Sequence, residues 1–242
     1  MRHAAIAFVL GLGLAGSAAA QHEAGLEPAN INPSNTASLQ RGAKYFVNYC
    51  LGCHSAKYVR YNRLAQDLQL TEQQLVDNLM FTGERPFDTM ANAMRPEDSV
   101  RWFGTSPPDL SLIARSRGND YIFNFLRSFY VAPDRPTGVN NTVLPGTAMP
   151  HVLWELQGTQ RAVFTTDPEH GETFDGFEMD RPGQLRADEF DEVVRDIVSF
   201  LDYIGEPIKR QRQQLGIRVI GFLLVFLLIA YMLKKEIWKD VK

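Results

Sequence analysis

Only two cysteines occur in the 242 residues, Cys50 and Cys53, and they stand three positions apart. With no further cysteine to complete a four-ligand site, a structural zinc centre is disfavoured. Basic residues are scarce through the middle of the chain. Gln21 to Glu206 carries 16 Lys and Arg against 26 Asp and Glu, a balance near −10 that the whole-chain value of −3 conceals. That sign removes nucleic acid from the expected partners, because phosphate backbones are bound by positive charge. There is no internal repeat, and long apolar runs are confined to the two ends.

Both cysteines fall within Cys50-Leu51-Gly52-Cys53-His54. Cys-x-x-Cys-His is the c-type haem attachment pattern. Two thiols one helical turn apart each form a thioether to the porphyrin, and the adjoining histidine reaches the iron from the proximal side. One covalently bound haem c is therefore the expected cofactor, with His54 as one metal ligand. No cysteine is then left over for a structural disulfide. The rival from another class is an exported thiol–disulfide oxidoreductase using Cys50 and Cys53, which would be colourless.

The ends suggest where such a haem would work. Met1-Arg2-His3 is followed by an Ala/Gly/Leu-rich run and by Ser17-Ala18-Ala19-Ala20. This is the layout of a secretory signal peptide over 1–20, cleaved before Gln21. Leu215 to Leu233 is 19 residues with one charge, Arg218, which suffices for a helix across a bilayer core that needs about 20 apolar residues. Lys234, Lys235, Trp238 and Lys239 supply a basic and aromatic interface. The expected organisation is a signal peptide, a periplasmic haem domain over 21–206, a linker and transmembrane helix over 207–233, and a cytoplasmic tail over 234–242. The span would be a single pass in the inner (cytoplasmic) membrane of a bacterium.

Between the ends the pattern is mainly helix and loop. Leu39, Ala43, Phe46 and Val47 mark one face of a helix that runs into the haem motif. Thr71-Glu72-Gln73-Gln74 reads as a capping box opening a short helix that buries Leu75 and Leu79. Asp109 caps a segment from Leu110 to Arg117, closed by Gly118. Asn119-Asp120 starts an aromatic helix bearing Tyr121, Ile122, Phe125, Leu126 and Phe129. Val131 to Met149 reads as a long loop, and Gln160 to Thr166 with Glu172 to Met179 as a β-hairpin. Asp188 caps a last soluble helix with Phe190, Val193, Val194, Ile197, Leu201 and Ile204 at helical spacing, ended by Gly205 and Pro207. Residues 167–206 hold 13 acids and three arginines. Such a run is either a solvated face or a docking field for a basic soluble partner.

A second iron ligand comes from the remaining histidines and methionines. His3 leaves with the signal peptide and His22 lies near a free terminus, while Met80, Met90 and Met94 read as packing residues. Met149 stands out within Leu144-Pro145-Gly146-Thr147-Ala148-Met149-Pro150, where a Pro/Gly-bracketed loop can pass close to a flat ring. His151 is its rival, and His170 a weaker one.

Five features in this order resemble the cytochrome c1 family, the membrane-anchored cytochromes of ubiquinol–cytochrome c reductase (the cytochrome bc1 complex). They are the Cys50–His54 motif, Trp102-Phe103-Gly104 leading to Pro107-Pro108-Asp109-Leu110-Ser111, Ala114-Arg115-Ser116-Arg117, Pro145 to Pro150, and the single C-terminal span. The resemblance implies a cytochrome c-like α-helical haem domain with insertions, with Met149 as sixth ligand. It implies Arg117 near a haem propionate with Tyr121 close by. It also implies cytochrome b and Rieske iron–sulfur subunits as partners, a soluble or membrane-bound cytochrome c as acceptor, and no bond-making chemistry in the chain itself. Some bacterial relatives carry an extra disulfide that this chain lacks, so its methionine loop must be held by packing. A membrane-bound cytochrome serving another dehydrogenase or oxidase would share the haem motif alone.

Overall fold

Asn35 opens the first helix, α1 (Thr36–Tyr45), by accepting the backbone N–H of Ser38 at 3.3 Å. The structure is a computed structural model that describes residues 25–167 and 171–240. The expected signal peptide, His3, His22, His170 and the tip of the hairpin lie outside the described residues. Leu39 and Ala43 are buried on the inner face of α1, as their spacing requires. The helix then widens into a single π-turn, Phe46–Cys50, which buries Phe46, Val47 and Cys50 and delivers the chain to the haem motif. That wide turn was not legible in the pattern; such turns cluster at functional sites.

The inner face of α1 packs on α8 (Ala187–Gly205), the 19-residue helix that forms the spine of the domain. Gly42 makes this crossing possible, because a Cβ there would run into the Asp196 carbonyl and the Phe200 side chain. The Phe46 and Phe200 rings then meet at 5.4 Å. Asp196, almost fully buried, is satisfied by Ser38 Oγ at 2.6 Å and by Arg41 at 2.5 and 2.9 Å. Val194, Ile197, Val198 and Phe200 are fully buried, each worth about 1.5–3 kcal/mol of apolar burial. We predict that Gly42→Ala lowers the thermal unfolding midpoint, at a cost of about 1–3 kcal/mol. An unchanged midpoint would mean that the crossing is not close-packed.

Three two-stranded antiparallel sheets decorate this helical core. Strand β1 (Ala56–Arg60) pairs with β2 (Thr89–Met90), a pairing with no strong sequence signal. Between them lie α2 (Tyr61–Asp67) and α3 (Glu72–Asn78), the latter opened by the expected capping box. Thr71 Oγ1 accepts from Gln74 N, and Gln74 Oε1 accepts from Thr71 N. After α4 (Pro96–Phe103) come α5 (Ile113–Arg117) and α6 (Asn119–Arg127). Phe129 belongs not to α6 but to β3 (Phe129–Val131), which pairs with β4 (Val139–Asn141). The expected loop over 131–149 thus begins as a hairpin, turned by Gly138 N donating to Arg135 O.

Short α7 (Trp154–Gln157) leads into β5 (Gly158–Asp167), paired with β6 (Gly171–Pro182). This is the expected hairpin, longer at both ends. Helix α8 starts after Arg186, two residues earlier than an Asp188 cap would allow. Asp188 instead sits in the first turn, bound to the Arg186 guanidinium at 3.0 and 3.1 Å, while Glu189 accepts the Arg186 N–H. The final helix, α9 (Lys209–Ile237), holds an apolar stretch, Gln211–Ile237, with no part buried against the domain. At 1.5 Å per residue its 27 residues span about 40 Å, enough to cross a bilayer.

Candidate haem site

The attachment motif forms a tight turn at the end of the π-turn. Cys53 N and His54 N both donate to Cys50 O, at 3.0 and 2.8 Å. Cys50 is buried and Cys53 is half-exposed, and both are free thiols. The side-chain amide of Asn92 donates to Cys53 O, and Asn92 N donates to Ser55 Oγ at 3.0 Å, so the loop after β2 clasps the motif. Nothing in the sequence singled out Asn92.

His54 is oriented by a group outside the motif. Its Nδ1 lies 2.7 Å from Pro108 O, and a carbonyl can only accept, so Nδ1 carries the proton. That fixes the tautomer with Nε2 unprotonated and uncommitted among the described residues, the form a metal-ligating histidine takes. Burial holds its pKa below the ordinary value, opposed by the Pro108 bond and by Asp109, which keeps the ring neutral.

The rest of Pro107 to Ser111 zips onto the residues after the motif. Leu110 N donates to Ser55 O at 2.8 Å, Lys57 N to Asp109 Oδ2 at 3.0 Å, and Tyr58 N to Ser111 Oγ at 3.1 Å. Asp109 also accepts Ser111 N, and with its carboxylate so used the helix begins only at Ile113, in place of the expected cap. Two segments more than 50 residues apart thus form one unit around His54.

A run of rings lines the neighbouring core. Arg117 lies 5.5 Å over Tyr121, Tyr121 stacks on Phe125 at 6.2 Å, Phe125 meets Phe129 at 5.2 Å, and Phe129 stacks on His151 at 5.2 Å. Met149, like Leu110, Ile113, Tyr121 and Phe125, is half-buried and packs against the apolar core that includes Cys50. Tyr121 and Met149 thus both pack on the core that holds Cys50, and Arg117 lies over the Tyr121 ring. His151 is buried beside this group, its pKa pushed down to about 4 by burial, opposed by the Gly158 backbone and the Gln157 side chain. Its ring is stacked on Phe129, and its Nε2 is buried with no hydrogen-bond partner among the described residues.

These donors fit a haem c. The turn holds two free thiols that would attach the porphyrin, while an imidazole with Nε2 available and a thioether on an apolar wall are ligands that haem iron takes. Among the described residues no group of three or more His, Cys, Asp or Glu side chains could hold a metal ion unaided. The thiols argue against dithiol chemistry. Burial pushes Cys50 up to about 12, with Cys53 adding to it, and burial raises Cys53 as well. A redox dithiol needs a depressed thiolate pKa, usually at a helix N-terminus; Cys50 stands at a helical C-terminus, where the dipole opposes a thiolate.

A helical haem domain carrying one apolar C-terminal helix defines a membrane-anchored c-type cytochrome. The profile of the Cytochrome C1 family matches residues 30–160 and 185–241, the gap falling on most of the β5–β6 hairpin. The chain belongs to the cytochrome c1 family. It is 49% identical over 218 residues to the cytochrome c1 of Allochromatium vinosum, covering 89% of each chain. It is 42% identical over 219 residues to a Nitrosomonas europaea protein named ammonia monooxygenase gamma subunit, covering 90% of each. Cytochrome c1 of Rhodospirillum rubrum is 27% identical over 239 aligned residues, with 84% of this chain and 82% of that one covered. The chain is thus an electron-transport protein carrying covalent haem c.

Proposed function

We propose that the protein takes one electron at a time from a Rieske iron–sulfur subunit and delivers it to a soluble or membrane-bound cytochrome c. It would do so beside cytochrome b in a ubiquinol–cytochrome c reductase. The single observation behind this reading is the unit formed by Cys50–His54 and Pro107–Ser111, with His54 held by Pro108 O at 2.7 Å. Bound haem would supply the one-electron chemistry; Cys50 and Cys53 would attach it, and His54 and Met149 would ligate its iron. A Met/His pair raises the reduction potential relative to nitrogen-only ligation, which suits an acceptor late in a respiratory chain. Arg117 and Tyr121 would meet a propionate. Export by residues 1–20, with the haem domain on the periplasmic side of the inner membrane, completes the reading.

A second reading rests on the relative named as an ammonia monooxygenase subunit. In that reading the chain is a membrane-bound cytochrome serving another oxidoreductase. Affinity purification from mild detergent separates the two. Recovery of a cytochrome b and a Rieske protein in stoichiometric amount supports the first reading, and their absence alongside another enzyme's subunits overturns it.

The acidic docking field is narrower than the sequence implied. Asp180 is paired with Arg161 at 2.7 Å across the hairpin, Asp191 with Arg127 at 2.6 Å, and Asp188 and Glu189 with Arg186. Asp175 and Glu178 are exposed and make no ion pair among the described residues. Steering of a basic acceptor would rest on these two among the described side chains. Asp175→Asn with Glu178→Gln should lower the second-order rate of electron transfer to cytochrome c and flatten its salt dependence, since such fields act over about 8 Å at physiological salt. An unchanged rate and salt slope would reduce the run to a solvated face.

A further inference from the structure

The loop that carries Met149 has no disulfide and little regular structure, yet its backbone donors are almost all used. We propose that Asn141 and Asn140 are positioning residues that hold this loop so that the Met149 thioether is presented to the haem iron. The proposal rests on the reading of Met149 as the sixth ligand and adds what fixes it there.

Asn141 is fully buried. Its Oδ1 accepts Val143 N at 2.9 Å and Leu144 N at 3.0 Å, and its Nδ2 donates to Phe125 O at 2.8 Å. Phe125 stacks on Tyr121, so the amide ties the loop to the aromatic wall of the site. Asn140 Oδ1 accepts Gly146 N at 2.8 Å and Asn141 N at 2.9 Å. Both asparagines are themselves fixed by β4, where they stand opposite Tyr130 and Phe129 of β3.

From these anchors the constraint runs to Met149 without a break. Leu144 O accepts Thr147 N at 3.1 Å across the turn Leu144-Pro145-Gly146-Thr147. Gly146 has φ +79°, the left-handed conformation that the third residue of a Pro-Gly type II turn adopts. Thr147 Oγ1 then accepts Met149 N at 3.3 Å. Five N–H groups between 143 and 149 are therefore bonded, Pro145 has none, and only Ala148 is outside the set. Two side-chain amides supply three of the five acceptors. A thioether is a weak ligand whose bond depends on being held in place, so removal of these acceptors should act first on ligation.

The test uses the membrane complex and compares Asn141→Ala, Asn140→Ala and Asn140→Asp, with Met149→Leu as reference. The sulfur-to-iron charge-transfer band of the oxidised haem reports the ligand directly, and carbon monoxide binding to the reduced haem reports an open sixth position. Asn141→Ala should lose most of the band and bind carbon monoxide about tenfold faster, because the Val143 and Leu144 N–H groups lose their shared acceptor and Phe125 O loses its donor. Asn140→Ala should show a smaller loss. Asn140→Asp keeps the acceptor oxygen and should restore the band, an outcome that merely altered folding would not give. Asn140 is only partly buried, so its pair of variants decides the matter if Asn141→Ala fails to accumulate. If Asn140→Ala keeps the full band and stays closed to carbon monoxide, the positioning role is refuted. If Met149→Leu itself keeps the band, the ligand assignment fails instead, and the two failures are told apart.

Discussion

Met149→Leu should abolish the sulfur-to-iron charge-transfer band and lower the haem potential while leaving the colour on the polypeptide. The thioether is the only proposed ligand on its side of the iron, and leucine replaces its volume without a donor atom. Axial ligation spans about 0.8 V of haem potential, so loss of the sulfur should cost on the order of 100 mV or more. Quinol-driven reduction of the haem should slow accordingly. The same change at His151 should leave the band in place, because that ring is stacked on Phe129 and buried toward Gly158 and Gln157. A band that survives in Met149→Leu and disappears when His151 is replaced would reverse the assignment.

The second large effect is expected at the attachment turn. Cys50→Ala or Cys53→Ala should sharply reduce the yield of mature, membrane-bound haem protein. Each removes one of the only two thiols in the chain, and no neighbouring cysteine can substitute. Loss of haem would also leave Tyr121, Phe125 and Met149, which pack half-buried on the core that includes Cys50, more exposed. Acid–acetone extraction checks the claim. Wild-type protein should keep its haem after extraction, and colour released into the organic phase would show that the attachment is not covalent.

Much of this arrangement was legible before any coordinates. The haem motif, the Leu39–Val47 face, the Thr71 capping box, the hairpin beyond Gly158 and the α8 periodicity are local signals, each set by residues within one or two turns. The features that escaped depend on distant partners. Asn140 and Asn141 look like ordinary loop polar residues until pairing with β3 sets them beside Phe125 O of α6 and the N–H groups of the Met149 loop. Asn92 gains meaning only where it meets Cys53 O, and Gly42 only where Asp196 crosses it. Asp109 and Asp188 were each read as helix caps because Asp favours that position. In the fold, one bridges Lys57 and Ser111 and the other pairs with Arg186, so tertiary and local charge contacts took the carboxylates first. The acidic run likewise looked uncompensated because its counter-charges Arg41, Arg127 and Arg161 lie elsewhere in the chain.

The central claim is that this cytochrome stands between a Rieske protein and cytochrome c. Rapid mixing of membranes with ubiquinol, followed at the α band of the c-type haem, tests it most directly. Reduction should be fast in intact membranes, fall by at least about a hundredfold when the Rieske subunit is removed, and return when it is restored, since a tethered donor acts at a high effective concentration. Haem reduction that stays fast without the Rieske subunit would contradict the account.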